Sequence, residues 1–342
     1  MQLRYSIRYV FALLPGALAL LGNIFNVWFA VAAICWVMIV LVAIDMLLKP
    51  SRRKPPEFET GMIPNFILLF SSILHLVTVF MLIRGVVNEH IQGWHIIACS
   101  LATGINSGLA GFIVAHELVH RKGSFERSLG QINLLAGNYM HFYIEHIHGH
   151  HRNVGTMKDP ATARYGENIY QYMGRTIPYQ WWNGLQVEVA RIKKQGNENP
   201  YGFSNYVMQT TFLELAVLLA MGIFFGPFAL FAYIGQSLVA IFLLEYVNYI
   251  EHYGLVRDEK EKLNATHAWH TDTATSRMTL LELNRHADHH LKASKHFYTL
   301  EAHEESPVLP FGYFGMFLIA LIPKWWFRKV NPLVPERFIP KD

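Results

Sequence analysis

Between Tyr9 and Leu48 one charged residue, Asp45, interrupts forty positions of otherwise uncharged, mainly apolar side chains. A soluble domain has little use for such a run, whereas a bilayer requires one. Each hydrocarbon core takes about twenty apolar helical residues. Forty residues at about 1.5 Å each reach roughly 60 Å, two core thicknesses. Gly22, Asn23 and Asn26 offer the turn between two passes, 9–25 and 27–48. Four more passes follow on the same grounds at 62–83, 93–118, 207–225 and 228–250, with Gly226-Pro227 breaking the last pair.

Only 16% of the residues are charged, against about a quarter in soluble domains. The expected fold is therefore an all-α integral membrane protein, a single domain over residues 1–342. It has about six transmembrane helices and a histidine-rich cap formed by 119–206 and 251–342. Arg4 and Arg8 precede the first pass, and Lys49, Arg52, Arg53 and Lys54 follow the second. The positive-inside rule puts both groups in the cytosol. Each further pair of passes returns the chain to that side, near His116 and again near His252. Every histidine cluster is thus expected to face the cytosol from the cytoplasmic (inner) membrane. The first apolar run continues directly into the second, so it reads as a retained anchor rather than a cleaved leader.

Residues 129–145 are apolar but broken by Gln131, Asn133, Asn138 and His141. A crossing there would put His146–His151 opposite His116, so the segment is expected to form a buried, non-crossing helix beneath the site. Residues 311–323 are too short to span. With Lys324, Trp325, Trp326, Arg328 and Lys329 after them, they read as an interfacial helix or hairpin. The net charge of +4 comes with no basic helix, which excludes a nucleic-acid partner. Cys35 and Cys99 form no CxxC and are expected to be buried packing residues.

Histidine is the anomaly, with 18 residues. His116-Glu117-Leu118-Val119-His120 places two imidazoles four apart, on one helical face. His146, His150 and His151 form a second cluster, and His286, His289 and His290 a third. His252 stands alone after the sixth pass. Polar groups near hydrocarbon are costly and tend to be paired or functional, so the clusters point to a metal site. The first cluster also fits the HExxH pattern of an intramembrane zinc protease, with Glu117 as general base. Zinc, however, needs three or four protein ligands and leaves about five clustered histidines unused. Nine imidazoles suit two metals. Spacing alone leaves iron, copper and zinc open.

The boxes His116–His120, Glu145–His151 and Arg285–His290 resemble those of the membrane fatty-acid desaturase and hydroxylase superfamily. Asn248-Tyr-Ile-Glu-His-Tyr-Gly-Leu255 resembles the fourth box of its membrane alkane 1-monooxygenases, as does the run Asp159-Pro-Ala-Thr162. The resemblance implies a non-haem di-iron enzyme that uses O2 to convert medium-chain n-alkanes into 1-alkanols. Its electrons come from rubredoxin, itself reduced by an NAD(P)H-dependent rubredoxin reductase. It also implies that His116, His120, His146, His150, His151, His252, His286, His289 and His290 hold two irons in sets of four and five. Related enzymes acting on aromatic methyl groups or lipid acyl chains are the alternatives. His267–Asp272 matches the family's His-x-Trp element only in part, and Leu281–Asn284 replaces its usual Phe-x-Leu-Gln.

A ligand imidazole is usually oriented by an acceptor on its second nitrogen, and Glu117, Glu145, Asp159, Glu251, Asp272 and Asp288 are the candidates. An alkane offers only apolar surface, worth roughly 0.8 kcal/mol per methylene. A lateral channel from the bilayer is expected, lined by Trp36, Ile39, Leu109, Ile113 and Leu135. His141, His148, His267, His270, His296 and His303 are expected not to be ligands. Basic residues from Arg152, Lys158 and Arg164 to Lys194 offer a docking face for acidic rubredoxin.

Overall fold

Hydrocarbon offers backbone groups no hydrogen-bond partner, so a crossing segment must bond internally. In the computed structural model, which describes residues 2–48, 50, 54–196 and 198–340, helices do this throughout. Lys49, Arg52 and Arg53 of the basic turn lie outside the described residues.

The chain opens with α1 (Gln2–Ile24), α2 (Val27–Leu47), α3 (Met62–Val87) and α4 (Trp94–Val119). It continues through α5 (Ser124–Ala136), α6 (residues 142–153) and α7 (Ile169–Lys194). Then come α8 (Tyr206–Phe224) and α9 (Pro227–His252). The C-terminal part carries α10 (Ala274–Thr279), α11 (His286–Leu291), α12 (Tyr313–Leu321) and α13 (Pro323–Val330). Among the described residues, α1 to α4, α8 and α9 are the six long and apolar enough to cross a membrane. The protein is an all-α integral membrane protein.

Local chemistry sets the turns. The Asn26 side chain accepts from the Trp28 backbone N–H at 3.0 Å and starts α2. Gly226 has φ 86°, a conformation open to glycine, and Pro227 follows at the first helical position of α9. That helix runs on to His252, so the lone histidine sits on the helix rather than beyond its end. The reason is that Asn248, Glu251 and His252 are buried in the cap instead of meeting water. At the centre stands α4, with 89% of its apolar window buried against 17% for the peripheral α8.

The segment before the second histidine cluster is a re-entrant hairpin. Asn133 of α5 donates to Ser72 at 2.6 Å and accepts from His75 at 2.7 Å, and both partners lie mid-way along α3. The chain turns at Gly137–Asn138 and returns as α6. The helix expected to be buried there, α5, buries one face, with Gly130, Asn133 and Leu134 inside. Phe125 and Ile132 point outward, which hydrocarbon tolerates. Cys35 is likewise exposed on α2 while Cys99 is buried; an outward thiol costs nothing against lipid.

Residues 311–323 become part of a two-helix hairpin, α12 and α13, docked on α2 and α9. Asp45 ties it down. Its carboxylate accepts from the N–H groups of Phe314 (3.0 Å) and Gly315 (3.2 Å) at the start of α12, and from the hydroxyls of Thr273 and Ser276. The one charge in the first apolar run therefore neutralises a helix N-terminus.

Candidate metal centre

Nine imidazoles converge at one end of the bundle. His116 lies in the last turn of α4 and His120 ends it. Helix α6 brings His146, His150 and His151, α9 brings His252, and α11 brings His286, His289 and His290. They form two sets. One ring nitrogen from each of His116, His120, His146, His151 and His289 lies within 4.8 Å of the others, and so do those of His150, His252, His286 and His290.

The sorting depends on how α6 winds. Residues Glu145–His150 form a π-helix, whose hydrogen bonds close five residues apart instead of four. His146 and His151 therefore share a face, with Nε2 atoms 3.0 Å apart. His150 is turned into the other set, 3.2 Å from His290. An ordinary helix would pair His146 with His150. On α11, His290 lies 2.7 Å from His286, whereas His289 reaches across to His151 at 3.1 Å.

The donor set fits metal ions. His150 gives its Nδ1–H to Asp159 at 3.0 Å, which leaves its Nε2 a bare lone pair facing His290. In the same set His252 and His286 face each other at 3.0 Å. Two nitrogens bound at right angles to one ion, each about 2.1 Å from it, lie about 3.0 Å apart. Burial above all, then the charge of neighbouring imidazoles, holds His146, His151, His286, His289 and His290 well below the usual histidine range. His120 is lowered to about 4, by burial first and the charge of His150 second. All are neutral at neutral pH, as ligation requires.

Of the six candidate carboxylates, two touch these rings. Asp159 orients His150 and also accepts from Thr162 at 2.6 Å and the Ala161 N–H at 3.0 Å. Burial tends to raise its pKa, but the charge of His150 and its hydrogen bonds win and keep it below the usual carboxylate range. Glu251 lies 3.3 Å from His286 Nε2, the nitrogen that faces His252 and His290. It is thus on the inner side of the ring, not behind it, and its other oxygen accepts from Tyr313 at 2.8 Å. The other four make different bonds. Glu117 pairs with Arg121 at 2.6 Å and takes the Phe297 N–H. Glu145 meets Asn183, Asp272 lies 3.5 Å from Arg285, and Asp288 binds Lys295 and His303.

Glu117 is therefore held by a guanidinium, and its two flanking histidines join a five-imidazole set. Neither feature suits a zinc protease. Of the six histidines expected not to be ligands, His148 is exposed, His141 is buried outside both sets, and His303 binds Asp288. His267 contacts Glu261, His296 lies near Arg121, and His270 packs beside Val308; none joins a set.

The expected channel is partly relocated. An apolar slot runs between α2, α4, α9 and α12 to Leu280 and Leu283, just before the third cluster; Leu109 and Ile113 line it. Trp36 lies off the slot, and Ile39 is 63% exposed on the outer face of α2. Leu135 lines a different groove. The slot shares Met38, Leu243 and Phe317 with a depression open on the bundle's side.

One supporting network was not read from the sequence. Glu282, fully buried with φ 58°, accepts from Tyr9 at 2.9 Å and pairs with Arg8 and Arg277, binding the N-terminal helix to the loop before the third cluster. A charged residue between Leu281 and Leu283 was its only local signal.

A helical membrane protein with two sets of converging imidazoles at one end of its bundle is a non-haem metalloprotein of the histidine-box class. Residues 92–320, which contain all nine histidines, match the fatty acid desaturase family. An alkane 1-monooxygenase of Pseudomonas aeruginosa is 37% identical over 239 residues, 68% of this chain and 62% of that protein. One of Pseudomonas putida is 32% identical over 323 residues, 92% of this chain and 78% of that protein. The hydroxylase component of a xylene/toluene monooxygenase from Pseudomonas putida is 27% identical over 297 residues, covering 85% and 78%. The chain belongs to the fatty acid desaturase family, in its alkane 1-monooxygenase branch.

Proposed function

We propose that the protein is a di-iron monooxygenase that hydroxylates the terminal methyl of medium-chain n-alkanes. The balance is RH + O2 + 2 e⁻ + 2 H⁺ → ROH + H2O, with electrons from rubredoxin and its NAD(P)H-dependent reductase. The observation that carries this reading is the pair of imidazole sets together with an apolar slot whose wall residue Tyr313 donates to Glu251, 3.3 Å from His286. His116, His120, His146, His151 and His289 would hold one iron, and His150, His252, His286 and His290 the other. Bound there, the irons would supply activation of dioxygen.

The chain's own residues do the rest. Asp159 holds His150 in the tautomer that leaves Nε2 free. Met38, Leu109, Ile113 and Leu243 exclude water and recognise only apolar surface. The slot is narrow, with about 40 Å³ open to a water-sized sphere, so a chain enters as these side chains change rotamer. The side depression sharing Met38, Leu243 and Phe317 is the entrance from the bilayer.

We place the histidine end in the cytosol of the inner membrane, following the positive-inside rule. His120 and His151 are the half-buried rings of the five-imidazole set, and exposed Lys122 and Arg152 lie within two residues of them in sequence. Acidic rubredoxin would dock there. Lys158, expected in that face, is paired with Glu259.

The test combines metal analysis of the purified protein with octane turnover by rubredoxin and its reductase. Two irons per chain and 1-octanol are expected. One zinc without oxygen consumption would sink the proposal.

A further inference from the structure

A second apolar groove lies between α3 and α8, away from the substrate slot. Phe80 and Ile83 of α3, Val217 and Met221 of α8, and Leu135 at the tip of α5 line it, and its volume is about 460 Å³. Its origin is the re-entrant hairpin. Helix α5 fills the space beside α3 only to mid-depth, where Asn133 meets His75, and then turns back at Gly137. Beyond that tip, α8 stands off from α3.

Both walls belong to membrane-crossing helices, so the surrounding medium is hydrocarbon. Along α3 the groove runs from Leu76 to Val87. Those eleven steps rise about 16 Å, half of a hydrocarbon core of about 30 Å. The groove thus has the length of one leaflet. Arg84 and Asn88 stand at its outer end, and Arg84 is the one charged residue lining it. Arg84 is exposed and has no carboxylate partner among the described residues. A guanidinium presents paired donors to phosphate.

Length, apolarity and charge all fit one molecule. We propose that the groove binds a glycerophospholipid from the leaflet opposite the histidine end. One acyl chain lies between α3 and α8 against Leu135, and the phosphate sits on Arg84. The chain supports the tip of α5, and so braces the hairpin that leads to His146.

The full-length protein in nanodiscs of phosphatidylethanolamine and phosphatidylglycerol, transferred to mild detergent, provides the test. Native mass spectrometry counts retained phospholipid, and thermal unfolding checks that variants are folded. Wild type should keep one phospholipid per chain. R84E, and M221W which fills the groove, should lower retention about tenfold, the loss of about 1.4 kcal/mol of binding; R84K should keep most of it. Equal retention in wild type and R84E overturns the proposal. So does an adduct with the mass of a free fatty acid or alkane, or a lipid-free dimer closed over the groove.

Discussion

Replacing Asp159 with asparagine should weaken one metal site and spare the other. In the native protein one carboxylate oxygen accepts from His150 and Thr162, and the other from the Ala161 N–H. An amide cannot reproduce this. With its carbonyl towards His150, its NH2 group meets the Ala161 N–H, donor against donor. Reversed, it presents a donor to the His150 Nδ1–H. The ring then keeps neither its tautomer nor a charged acceptor. Hydrogen bonds to charged groups contribute about 1.5–3 kcal/mol, and changes to partners of metal-bound histidines cost about 10–100-fold in affinity, which is about 1.4–2.7 kcal/mol. The assay is a chelator titration of iron-loaded protein, followed as iron per chain. One iron of two should leave D159N at about 10–100-fold lower chelator activity, the other at the wild-type level. Coincident curves for variant and wild type would refute the assigned role of Asp159.

Other expectations follow from the same geometry. Met38→Trp narrows the slot at its junction with the side depression, so gas chromatography should show the product profile shifting to shorter alkanols; an unchanged profile across Met38, Leu109 and Leu243 variants would remove the slot as the substrate path. Asp45→Asn replaces the charged acceptor at the start of α12 with a neutral amide and should destabilise by about 1–2 kcal/mol, read as a lower unfolding temperature and faster proteolysis near residue 310. Gly111→Ala puts a Cβ 2.6 Å from the His75 ring, which Asn133 and Ser107 hold in place; overpacking of this kind costs about 1–3 kcal/mol, measured by thermal unfolding. In metal-free protein, His120 has a folded pKa lowered to about 4 from 6.5. The unfolded chain then binds more protons as pH falls through that window, so stability should decrease from about pH 6.5 towards 4, and an apo-protein melting temperature that rises on acidification would contradict the burial.

The membrane class, the number of passes and the nine candidate ligands were legible in the sequence, because run length and residue spacing are local properties. Asp159 and Glu251 could be short-listed beside their histidines but not separated from Glu117, Glu145, Asp272 and Asp288. Which carboxylate meets a ring depends on which competing partners the fold brings up, and Arg121 after α4, Asn183 of α7, and Arg285 and Lys295 on either side of α11 take the other four. The channel shows a second limit. In a soluble helix the polar face marks the outside, but around α2 and α5 lipid and core are equally apolar. Nothing local distinguishes outward Ile39 or groove-lining Leu135 from Leu109 and Ile113. Which imidazole joins the set of five and which the set of four also waited for the tertiary structure. It rests on one π turn in α6 that exchanges His150 for His151, and on α11 lying across both sets, and neither a helical period nor a motif encodes where those two helices meet.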